Sequence, residues 1–131
     1  GKMQPQTELV LNVRDKVQDI TGIEAVTDEL TDDGRIYLEI GAAVTEKKYA
    51  RGPTLWMVPI MFLIKRPGQE EAECLEHLSE ICNHYQRTRK PPAGETYQAR
   101  GLDIAAGPNK AARYQDGNVL YSCIINFKIS Y

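Results

Sequence analysis

Cys74, His77, Cys82 and His84 form the one cluster in this 131-residue sequence whose side-chain types could together hold a metal ion. Thiolate sulfur and imidazole nitrogen are the preferred donors of tetrahedral zinc. The spacing speaks against such a site, because all four residues fall on or beside one expected helix. At roughly 100° per residue, Cys82 is turned about 80° from Cys74 and about 140° from His77, so a single shell cannot gather them while the helix stays wound. The same divergence removes a nucleophilic thiolate with a histidine base. Cys74 and Cys82 are expected to flank the buried stripe of that helix and the histidines to be solvated. Cys123, on the apolar side of the last strand, reads as a small core residue.

Carboxylates are paired at Asp32-Asp33 and Glu70-Glu71. The first pair suits a turn and the second a helix N-terminus, so neither reads as an acid–base couple. No GxxxxGK[ST] or GxGxxG loop is present to cradle a phosphate. No catalytic residue, cofactor or metal is therefore expected. Two short basic runs remain, Lys47-Lys48-Tyr49-Ala50-Arg51 and Arg87-Thr88-Arg89-Lys90. Either could meet phosphate, but solvated loop charge is the plainer reading of each, since Glu46 and Glu95 dilute the local field. Trp56, the single tryptophan, is a core residue or an interface anchor. Lys47, Lys48, Tyr49, Arg51, Trp56, Arg87, Arg89 and Lys90 are the contact candidates.

These residues must be positioned by one core. The length is that of one domain, expected to span 1–131, and 42% hydrophobic with 26% charged residues is the balance of a folding chain. Sixteen basic against eighteen acidic residues give a net charge of −2, so no global field draws the protein to nucleic acid or an acidic membrane. The longest apolar stretch, 55–64, contains Pro59 and ends at Lys65-Arg66, too short for a bilayer span. Three cysteines are an odd number for a disulfide framework, which suits a reducing cytoplasm. The opening Gly1-Lys2-Met3 starts no secretory leader.

Leu9, Val10, Val13, Val17 and Ile20 recur at three- and four-residue steps, predicting an amphipathic helix over 7–20 with Thr7 as N-cap and Gly22 as its left-handed stop. Ile36, Leu38 and Ile40 alternate on one side of a short strand. The next strand, 54–65, is apolar on both sides: Leu55, Met57, Met61 and Leu63 on one, Trp56, Val58, Ile60, Phe62 and Ile64 on the other. Pro59 must lie at an edge, bulge or bend of it. Ala72, Leu75, Leu78, Ile81, Cys82 and Tyr85 predict a second helix over 69–85 with an acidic first turn. Residues 87–101 read as a long exposed loop, 102–105 as a short strand, and 119–131 as a long strand with Val119, Tyr121, Cys123, Ile125, Phe127, Ile129 and Tyr131 on one face. A strand of that length, on the order of 40 Å, could project beyond its own sheet. The expected fold is α+β, order α-β-β-α-β-β, with an antiparallel or mixed four-stranded sheet and two helices on one face. Such a sheet leaves apolar surface for a partner to cover.

The layout resembles the small minor capsid, tail terminator-like proteins of long-tailed bacteriophages and prophages. The resemblance lies in the opening helix, the pair LEIGAAVTEKKYARGPTLWMVPIMFLIK at 38–65, the helix over 69–85, and the closing GLDIAAGPNKAARYQDGNVLYSCIINFKISY at 101–131, with its acidic-glycine turn and long last strand. It implies a structural protein made in the bacterial host cytoplasm and built into the virion neck. Copies would form a homo-oligomeric ring, such as a hexamer, that caps the tail tube and joins it to head-connector proteins, with phage DNA passing through the lumen. No membrane, cofactor or catalytic residue is implied. The competing class is a monomeric or dimeric nucleic-acid or ligand-binding module that uses the same basic runs.

Overall fold

The computed structural model describes residues 3–131; the reading of Gly1-Lys2 as no leader lies outside the described residues. The first helix, α1 (Pro5–Thr21), starts earlier than its apolar period suggests. Pro5 occupies the first turn, where its fixed φ suits the helix and its missing N–H is not needed. Gln4 precedes it with extended backbone, so Thr7 lies inside the first turn and is not the cap. At the other end Gly22 adopts φ 72° and donates its N–H to the Gln18 carbonyl, as expected of a left-handed stop. Helix α2 (Glu71–Thr88) follows a single 3-10 turn, Gly68–Glu70, and carries Glu71 and Glu73 in its first turn.

Six strands form one mixed sheet rather than the four expected: β1 (Ala25–Val26), β2 (Ile36–Ile40), β3 (Val44–Lys47), β4 (Leu55–Pro67), β5 (Gln98–Arg113) and β6 (Asn118–Ser130). The α+β class stands. The two added strands, β1 and β3, are two and four residues long, too short to show a period of two. The order is β1-β2-β4-β6-β5, with β1 parallel to β2 and β3 paired with β4. β4 exchanges partners along its length, pairing with β2 at 60–63 and with β3 at 55–57. Pro59 sits at that exchange, where its missing donor interrupts neither ladder. The chain leaves β2 at Gly41, whose N–H donates to the Pro59 carbonyl at 2.8 Å. A Cβ there would stand 2.8 Å from Pro59 Cγ, so only glycine passes.

β6 does not project beyond the sheet. All thirteen of its residues pair with β4 on one side, and β5 lies along its other side, which makes it the central strand. Nor is 87–101 a long loop. β5 begins at Gln98 and runs sixteen residues, through Gly107-Pro108 and well past the expected short strand over 102–105, to Arg113. Those sixteen residues lie opposite only twelve of β6, with one extra residue at each of four bulges.

The core lies between the helices and one face of this sheet. Val58, Ile60, Phe62 and Ile64 of β4, with Val119, Tyr121, Cys123, Ile125, Phe127 and Ile129 of β6, join Leu9, Val13, Val17, Leu78, Ile81 and Tyr85 in one buried cluster. Tyr85 meets Phe127 edge to face at 5.0 Å. The opposite face carries Met57, Pro59, Met61 and Leu63, cross-paired with Lys128, Asn126, Ile124 and Ser122. Both helices belong to the other cluster, and Leu63, although buried, is outside it.

Candidate interaction surface

The thiol and imidazole groups do not converge. Cys74 is buried on α2, and burial pushes its thiol up to about 11. Cys82 and Cys123 meet across the α2–β6 contact, where the Cys123 thiol, hydrogen-bonded to Cys82 and fully enclosed, is pushed far above its usual range. Cys74 and Cys123 are thereby held as thiols, whereas the contact with Cys123 lowers the pKa of Cys82, itself buried. The histidines are half-buried rather than solvated. His77 has Nδ1 3.2 Å from Glu80 Oε1, and His84 packs edge-on to Tyr85 at 4.9 Å, where burial, with Lys16 and Arg87 nearby, lowers its pKa. Among the described residues, no three His, Cys, Asp or Glu side chains gather to hold a metal.

The basic runs converge only by end of the molecule. At that end the strands stand in the order β3-β4-β6-β5, through the pairs Thr45–Trp56, Trp56–Ile129 and Ile129–Ala99. Three strand spacings, roughly 14 Å, separate the flank bearing Lys47, Lys48, Tyr49 and Arg51 from the flank where α2 ends with Arg87, Arg89 and Lys90. All six cations are exposed, and among the described residues none makes an ion pair.

Their backbones differ. Arg89 ends α2 in the left-handed region at φ 60° and donates its N–H to the Tyr85 carbonyl at 2.8 Å. The segment that follows, 90–97, is bound to α1. One carboxylate, Glu8, accepts the Glu95 N–H at 2.9 Å, the Thr96 N–H at 2.8 Å and the Thr96 hydroxyl at 2.6 Å. Those bonds, led by the one from Glu95, hold the Glu8 carboxyl below its ordinary range. Asn12 donates to the Ala93 carbonyl, and Tyr97, buried, donates its hydroxyl to the Pro92 carbonyl at 2.7 Å. Pro91 is buried too.

The 41–53 segment is held by the β3 ladder, the Gly41 bond to Pro59, the Lys128–Glu46 ion pair and the packing of Ala43 near its root. Every residue from Val44 to Pro53 is exposed, Tyr49 by 49%, and Lys47 Nζ lies 5.2 Å from the Tyr49 ring centre. Ile40, Val44 and Tyr49 account for three of the five large apolar side chains that stand exposed among the described residues. Trp56, at the root of this arm, stacks on Tyr131 at 5.6 Å and packs half-buried against the core. The sequence reading missed Glu8, Asn12 and Tyr97. No local pattern marks them, because Glu8 and its partners are 87 and 88 residues apart.

The arrangement can present cations and a few apolar side chains to a partner; it offers no paired nucleophile and base. No helix among the described residues is long and apolar enough to cross a membrane. A scan against protein-family models and a search of curated proteins both return no match for this chain.

Proposed function

We propose that the chain is a structural subunit of a bacteriophage or prophage neck, of the tail terminator-like kind, whose copies close into a ring that caps the tail tube and joins it to the head. The observation that carries this reading is the sheet face without helices. Met57, Pro59, Met61 and Ile124 remain half-exposed there, on the two longest-paired strands of the fold, and a neighbouring subunit would bury them. The exposed 41–53 arm and the uncompensated cations at one end supply further contact surface. In such a ring Arg87, Arg89 and Lys90 meet acidic tube or connector surfaces, or DNA phosphates in the lumen. The role needs neither cofactor nor catalysis.

Native mass spectrometry with negative-stain imaging, with and without tail tube, tests it. Rings, or protein bound at tube ends, are the expected result. A protein that stays monomeric and ignores the tube under every condition overturns the reading. The cations favour one other reading, a small polyanion-binding module. It predicts a monomer whose affinity for duplex DNA falls steeply with salt.

A further inference from the structure

We infer that the 41–53 arm of one copy docks into the groove between the end of α1 and the start of α2 of the next copy, with Tyr49 as anchor. The inference rests on the self-assembly proposed above. The groove has a volume of about 390 Å³, at the lower end of ligand-site sizes and ample for one aromatic side chain. Ile23, Ile64 and Cys74 line it together with the carboxylates Glu24, Asp33, Glu70 and Glu73.

Two guanidiniums stand against those four carboxylates. Arg66 binds Glu70 at 2.7 Å, and Arg35 bridges Glu24 and Asp33. Glu73 has only His77 Nε2 near it, at 3.9 Å. The groove is therefore net anionic, with half-buried Ile23 as its accessible apolar side chain over the buried Ile64 and Cys74. The arm has the complementary character: Tyr49 exposed among Lys47, Lys48 and Arg51, none of them ion-paired within the described residues. Tyrosine and arginine are the side chains that most often anchor interfaces.

The two surfaces cannot meet within one molecule. β4 runs from Leu55 at the arm to Pro67 beside the groove, roughly 40 Å of extended chain. The contact is thus between two different surfaces, and repeated head to tail with a rotation that closes on itself it makes a ring. The sheet's β5 edge offers no rival junction, since its four bulges and Pro108 disrupt the regular ladder that an added strand needs.

Charge exchange tests the contact. One variant reverses the arm (Lys48→Glu with Arg51→Glu) and a second reverses the groove rim (Glu24→Lys with Glu73→Lys). Assembly of each alone, measured by light scattering and native mass spectrometry at physiological salt, is expected to weaken by about tenfold or more. An equimolar mixture should recover wild-type assembly, because each acidic arm then meets a basic groove and each basic arm an acidic one. Tyr49→Ala, which alters no charge, should weaken assembly by about tenfold while the unfolding midpoint of the dilute monomer is unchanged, so loss of folding cannot imitate the result. Wild-type rings unaffected by these changes, or variants that mixing fails to restore, overturn the arm-to-groove contact and leave the ring. A wild type that never assembles overturns both.

Discussion

Two basic runs stand at the same end of this molecule, and in sequence they look alike: Lys47 to Arg51 and Arg87 to Lys90 each hold three cations and lead into proline. Their environments are opposite. The segment after α2 is fastened to α1 by one carboxylate, one amide and a buried tyrosine, so its cations ride on a rigid turn. Among the described residues, the 41–53 segment has a four-residue edge strand, the packing of Ala43 near its root and one ion pair, Lys128–Glu46 at 2.9 Å, to tie it to the body. Charge alone therefore does not say whether a loop is scaffold or reach. Hydrogen bonds from distant residues decide it.

The largest effect that would break the contrast comes from removing the buried anchor of the fastened segment. Tyr97→Ala should cost about 3–5 kcal/mol, read as a lowered urea midpoint at unchanged slope. Losses below about 1 kcal/mol would mean that the segment is not part of the core. Gly94→Ala comes next. A Cβ at Gly94 would overlap the Tyr97 ring and lie 2.8 Å from Glu8 Oε1, so a destabilisation of about 1–3 kcal/mol is expected in thermal melts.

Glu8 gives a pH signature. Its folded-state pKa is depressed, so its contribution is complete at neutral pH, above the unfolded value, and is lost as pH falls through the folded value. The amides of Glu95 and Thr96 should therefore lose their protection against exchange, relative to the intrinsic rate, as pH falls into the acid range and before the β6 amides do. Glu8→Gln should show that loss already at pH 7. Equal exchange in wild type and variant would remove the carboxylate from the account. At Arg89, glycine would relieve the left-handed cap and raise stability by about 0.5–1 kcal/mol. The smallest effect belongs to the arm: Tyr49→Ala should leave monomer stability within about 0.5 kcal/mol of wild type, by chemical denaturation.

What the sequence determined by itself was whatever repeats at short range. α1 and α2 were legible because their apolar residues recur at three and four. β2 and β6 were legible because theirs alternate, β4 because it is a continuous apolar run too short for a bilayer span, and Gly22 was legible as a stop because only glycine takes a left-handed turn freely. The divergence of Cys74, His77, Cys82 and His84 followed from helix geometry alone. Tertiary structure decided what depends on pairing. β5 was read as a loop and a short strand because four bulges shift its register and erase the period of two. β1 and β3 exist only because β2 and β4 offer them edges. β6 became the centre of the sheet, and not a projecting strand, because β5 ran long enough to cover it. The fastening of 90–97 by Glu8 likewise joins residues nearly ninety positions apart, and a hydrogen bond between such residues leaves no trace in local sequence.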